Sequence, residues 1–166
     1  KLGPIKIIEA GKLKAYFRKP DLKIWKFCVK AIEKSQTDFK KAMCINCFVD
    51  GDRELLETPY LEDLSEIINE FIEYADAEVQ RDGAAFLVKV LDKQARFRPI
   101  TIEMQSQAER QNPGDAPFLT QQNLLSMMWL DGDEELRNPD NLDYYMPVLR
   151  TLKDLREKHI LSVKNA

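Results

Sequence analysis

One stretch of this sequence occurs twice, and that fact limits the fold more than any composition does. Residues 47–55 read C-F-V-D-G-D-R-E-L, and residues 128–136, 81 positions later, read M-W-L-D-G-D-E-E-L. Both run from apolar or soft residues into D-G-D-x-E-L. Upstream, Ala15-Tyr16-Phe17-Arg18 with Pro20 is echoed about 80 positions later by Ala95-Arg96-Phe97-Arg98 with Pro99. Two marks that keep their order and nearly their spacing point to a duplication. The architecture must then be one that a chain of about 80 residues can build and repeat. This reading divides the chain into units 1–82 and 83–166.

Local patterns give each unit its elements. Residues 5–9 and 12–19 flank Ala10-Gly11, and Leu13, Ala15 and Phe17 alternate with Lys12, Lys14 and Arg18, which predicts a β-hairpin with one half-buried face. Residues 86–91 and 94–98 predict its second copy. Asp21 is placed to cap a helix running to about Lys34, with Leu22, Trp25, Cys28 or Val29, and Ile32 inward. Residues 101–111 form its more polar counterpart. A second helix is predicted over 38–49 and again over 119–130, each ended by a left-handed glycine, Gly51 or Gly132. A third begins at Thr58-Pro59, with Leu61, Leu64, Ile68, Phe71 and Ala75 as its apolar stripe and an acidic opposite face reaching Glu78. Its counterpart starts near Asp140 and runs to about Val163, past a kink at Pro147. The expected fold is mainly α (α+β): two tandem, diverged ββααα units, each a β-hairpin followed by three helices.

Composition narrows the function classes. Apolar residues make up 44% of the 166, enough for a packed core. The longest apolar runs are four or five residues, against the ~20 a membrane helix needs. No charged-then-apolar leader opens the chain, and an odd count of three cysteines suits a reducing cytosol. Charge is segregated. Residues 1–50 hold 12 Lys/Arg against 5 Asp/Glu, residues 51–82 hold 2 against 11, and the remainder is nearly balanced. Such a division holds one segment against another or prepares a surface for a charged partner.

Cys44-Ile45-Asn46-Cys47 with Cys28 and His159, the only histidine, has the donor types of a zinc site. It lacks the second spaced ligand pair, and mid-helix cysteines are usually core residues. The D-G-D-x-E segments have too few oxygen ligands, and a misplaced glycine, for a calcium-binding loop; Asp52 and Asp133 are expected to be helix caps instead. Lys23, Lys26, Lys30 and Lys34 share a helix face near Lys40 and Lys41, a pattern of phosphate binders and, more often, of a solvated face. Trp25 and Phe27 are read as flanking the apolar side. No nucleophile elbow, phosphate-binding glycine loop, H-E-x-x-H or catalytic Cys/His arrangement is present. No catalytic residue, cofactor or metal is assigned.

The stretch Lys14-Ala15-Tyr16-Phe17-Arg18-Lys19-Pro20, followed by Asn46-Cys47-Phe48-Val49-Asp50-Gly51-Asp52-Arg53-Glu54, resembles the tail assembly chaperones of long-tailed bacteriophages. The resemblance covers residues 5–80, and the second copy matches at its own turn, 129–135. It implies a non-enzymatic protein of the host cytoplasm that holds a long helical tape-measure protein and recruits tail-tube subunits, without cofactor. On this basis Tyr16, Phe17, Arg18, Lys23, Lys26, Lys30, Lys34, Phe48 and Trp129 are the expected partner-binding residues. The same stripes and charges would also serve self-association, a structural virion component such as a head–tail connector or capsid accessory protein, or a nucleic-acid-binding adaptor.

Overall fold

A computed structural model describes residues 3–32 and 35–158. The chain divides into two compact units, Lys1–Tyr74 and Ala75–Ala166. Lys34, His159 and the stretch to Val163 lie outside the described residues.

The first unit opens with strands β1 (Ile5–Ala10) and β2 (Leu13–Arg18), paired antiparallel around Gly11 and Lys12. Helix α1 (Leu22–Ile32) starts where the Asp21 carboxylate accepts the Ile24 N–H at 2.8 Å, a side-chain cap of the kind expected. Ser35 likewise caps α2 (Gln36–Cys47), its hydroxyl accepting the Asp38 N–H. The helix then runs straight into strand β3 (Phe48–Gly51). The Phe48 N–H still closes a helical bond to the Cys44 carbonyl, while its own ψ of 131° has already turned extended. A 3₁₀ turn (Arg53–Leu56), α3 (Tyr60–Ile67) and the single turn α4 (Asn69–Ile72) complete the unit. Its sheet order is β1-β2-β3.

The second unit adds a strand in front. Strand β4 (Glu78–Asp82) pairs with β5 (Ala85–Val90), which pairs with β6 (Lys93–Phe97), and β7 (Trp129–Gly132) closes the order β4-β5-β6-β7. Helices α5 (Ile102–Arg110) and α6 (Leu119–Met128) lie between β6 and β7 in sequence. A 3₁₀ turn (Glu134–Arg137) and α7 (Leu142–Thr151) follow.

The expected class, mainly α with two ββααα units of a hairpin and three helices, is therefore wrong. Each unit carries a strand after its second helix, the second unit carries another in front, and both sheets are antiparallel. Strand is not confined to the hairpins. The third helix of the first unit breaks at Ile68 and stops at Ile72, so residues 73–77 of its expected acidic end lie outside any helix and Glu78 opens β4 instead. Its counterpart stops at Thr151, followed by a 3₁₀ turn (Leu152–Asp154).

The physical reason lies at the repeated Asp-Gly-Asp. Gly51 does not end a helix. It sits opposite Ala15 in the sheet with φ 109°, and a Cβ there would stand 2.7 Å from the Ala15 Cα. Gly132 sits opposite Ala95 with φ 137°, and a Cβ would meet the Ala95 Cβ at 2.5 Å. Only glycine lets these backbones approach so closely. The following aspartates stand at 3₁₀ N-cap positions but make no capping bond. Their carboxylates instead accept the N–H of Lys14 (from Asp52) and of Gln94 (from Asp133), each at 2.8 Å, while their own N–H groups donate to the carbonyls of Lys14 and Gln94. The expected capping role is thus replaced by a two-bond clamp on the neighbouring strand. Beneath it, Phe48 meets Phe17 edge to face at 5.7 Å, and Trp129 meets Phe97 at 5.4 Å. Arg53 and Arg137 cover the outer rings. Both copies use the same register, including a bulge between Tyr16 and Phe17 and between Arg96 and Phe97.

Gly51→Ala and Gly132→Ala should each destabilise their unit by at least about 1–3 kcal/mol, the cost of a forbidden φ before any clash. Gly11→Ala, also at positive φ but with open space around it, should lose less. Thermal denaturation of the three variants checks this: equal losses would show that close approach at the clamp does not matter.

Candidate interaction surface

The first unit's core explains which face of α1 is left over. Ile24, Trp25 and Cys28 point inward against Phe39, Met43 and Cys47 of α2. The Trp25 ring lies 5.8 Å from Phe39, and its indole N–H donates to the Tyr74 hydroxyl at 2.9 Å. With the helix held this way, Lys23, Lys26, Phe27 and Lys30 fall at i, i+3, i+4 and i+7 on the opposite side. Lys23 and Lys30 are exposed and Lys26 half-buried, while the Phe27 ring is 63% exposed in their midst.

That phenylalanine was missed by the sequence reading, which set it beside the apolar side. Counting four residues on from Lys23 would have placed it on the lysine face. Neither Lys23 nor Lys30 has an ion-pair partner among the described residues. No acidic residue occupies the first turn, so Lys23 faces the positive end of the helix dipole. Lys26 and Lys30 repel one another at i,i+4 by a few tenths of a kcal/mol. An acidic partner would relieve both penalties, and covering Phe27 would add about 1.5–3 kcal/mol. Lys40 and Lys41 do not join this face. They line a groove with Glu62 and Glu66 of α3, so part of the segregated charge is used inside the unit.

The other expected partner-binding residues are scattered. Phe17 is fully buried and belongs to the core. Tyr16 lies on the outer face of the sheet under the Lys14 ammonium, and Arg18 is 3.6 Å from Asp21. Phe48 and Trp129 are half-buried under their arginines. A second exposed apolar surface, in the second unit, had no counterpart in the sequence reading: Arg98 and Arg156 flank a groove walled by Pro99, Met104 and Ile102, the last 84% exposed.

The cysteines form a buried group. Cys28, Cys44 and Cys47 are all inaccessible. Desolvation pushes the Cys28 thiol from its ordinary value near 9 up to about 11, and Cys44 and Cys47 up to about 12, with the neighbouring sulfurs adding to the rise. Among the described residues no group of three or more His, Cys, Asp or Glu is arranged to hold a metal ion, and His159 lies outside them. Below pH 9 the thiols are protonated folded and unfolded. Above it the unfolded chain ionises first, so the stability of this unit should fall as pH rises from about 9 towards 12. At pH 8, alkylation by iodoacetamide should be far slower in the native protein than in denaturant. Equal rates would mean that the thiols are not buried as a group.

Among the described residues, no helix is long and apolar enough to cross a membrane. In comparisons with known proteins, the chain matches no family model, no curated protein and no solved structure.

Proposed function

We propose that this chain is a non-enzymatic protein-binding protein whose α1 face takes an acidic amphipathic helix of a client. The observation behind it is Phe27, an aromatic ring left in water at the centre of three lysines. Interfaces concentrate their binding energy in such anchors, while charged rims speed encounter and select the partner. A helix laid on this face with one apolar residue over Phe27 and acidic residues at its flanks would meet both demands. The resemblance to tail assembly chaperones supplies the specific form of the reading: a tape-measure protein as the client, held in the host cytoplasm while tail-tube subunits are recruited.

The same ring among lysines also suits a base stacked from a nucleic acid, and the two readings separate by experiment. Co-expression with a tape-measure protein from the same genome should yield a co-purifying complex. Phe27→Ala should weaken it about 30-fold, as loss of an anchor does. Reversing Lys23 and Lys30 to Glu should slow association at low salt and leave the melting temperature nearly unchanged, because exposed charges contribute little to stability. A client equally insoluble with or without this chain would refute the chaperone reading. Strongly salt-dependent capture of single-stranded oligonucleotides, abolished by the same reversals, would replace it with the nucleic-acid one.

A further inference from the structure

The two copies differ at one sheet edge. In the second unit, β5 is covered by β4, with Glu78 opposite Lys89, Val79 opposite Val88, Gln80 opposite Leu87 and Arg81 opposite Phe86. The equivalent strand of the first unit, β1, carries no strand on its outer side among the described residues. The two-residue turn at Gly11-Lys12 makes Ala10 and Leu13 a hydrogen-bonded pair, so Ile8 and Lys6 also direct their backbone groups at β2. Ile5, Ile7 and Glu9 then direct theirs outward, into the position where Ala85, Leu87 and Lys89 bond to β4. Ile5 and Ile7 are also 40% and 54% exposed. An open row of donors and acceptors beside exposed apolar side chains is a template for another strand.

We infer that the outer edge of β1 binds an extended segment of a partner protein, added antiparallel in the place that β4 takes on β5. The second unit gives the register, and the substitutions between the copies give the chemistry. Glu9 stands where Lys89 does, so the occupant's residue opposite it is basic rather than acidic. Ile8 and Ile7 replace Val88 and Leu87, so the next two are apolar, and the exposed Ile7 is covered. Lys6 replaces Phe86, so the following residue is acidic rather than the Arg81 that covers the Phe86 ring at 4.8 Å; Lys6 and Glu9 already meet Glu70 at 3.7 Å and Lys14 at 3.0 Å, and the occupant's charges compete with these exposed, weak pairs. Main-chain bonds to Ile5, Ile7 and Glu9 supply affinity, and this basic–apolar–apolar–acidic order supplies selectivity. The site is separate from the α1 face.

The probe is the capped peptide Thr-Lys-Val-Val-Glu-Thr-Thr, titrated into the full chain. Saturation should slow amide exchange at Ile5, Ile7 and Glu9 about tenfold or more while Lys6 and Ile8 change little. Ile7→Pro removes an outward N–H on an edge strand, where proline is tolerated, and should weaken binding about tenfold, the contribution of one net hydrogen bond. N-methylation of the peptide gives the same test without altering the protein. A methyl on the residue opposite Ile7 should abolish binding, and one on the residue opposite Ile8 should not. Exchanging the peptide's Lys and Glu should weaken it severalfold, whereas reversing Lys23, Lys26 and Lys30 should leave it unchanged. Binding indifferent to the position of the methyl group overturns the proposal. So does slow exchange at Ile7 and Glu9 in the peptide-free chain, which would mean that the edge is already covered by the chain itself or by a second copy.

Discussion

Each unit depends on one close approach. Where Gly51 faces Ala15 and Gly132 faces Ala95, the missing side chain lets a short strand lie against the hairpin, and the next aspartate fastens it by bonding both ways to one residue of the neighbouring strand. The rest follows from that contact. The strand begins where the second helix ends, so the helix is anchored at its last turn. The aromatic residue at the junction is pressed edge-on against the hairpin's buried phenylalanine. The 3₁₀ turn after the clamp sends Leu55 or Leu136 into the core. Two glycines and two aspartates thus decide how helices meet sheet in both halves.

The marks of this clamp were visible in the sequence, but its meaning was not. Asp-Gly after an apolar helical run is a good helix-ending signal, and a four-residue strand alternates too briefly to compete with it. Deciding between them requires Ala15 and Ala95, residues about 36 positions away that no local pattern connects. Strand β4 was hidden for a related reason: Glu78 to Asp82 are exposed on both faces, so no alternation of apolar and polar residues marks them. What could be read were elements with a strong local cause. The hairpins have alternation and turn residues, and α1 has Asp21 to cap it and a stripe to bury. The lysine face was legible from spacing alone. Its central ring was not credited, because an aromatic residue near an apolar stripe is ordinarily counted with the stripe.

The two units share their inner geometry and differ in their outer chemistry. Tyr16 and Arg96 occupy matching places on the outer sheet faces. The first leans under a lysine, whereas the second joins Asp131 at 2.8 Å and Asp82 at 3.6 Å in a charged network. The copy with its extra strand has a polar, self-paired outer sheet, and the copy without it keeps exposed isoleucines on a strand that has no outer neighbour among the described residues. The halves share the glycine clamp and differ in the second unit's extra strand and in the chemistry of their outer surfaces.

The buried cysteines show how the two interiors differ. Positions 80 or 81 residues on from Cys28, Cys44 and Cys47 hold Ala108, Leu125 and Met128, also buried. One position holds a smaller side chain and two hold longer ones, so the second unit carries nine side-chain heavy atoms where the first carries six. Close-packed interiors absorb a change of that size only where the surrounding side chains and backbone shift with it. Moving one of these residues alone between the copies would open a void or force a clash. Each interior is therefore fitted to its own helices, and a side chain that suits one half is a misfit in the other.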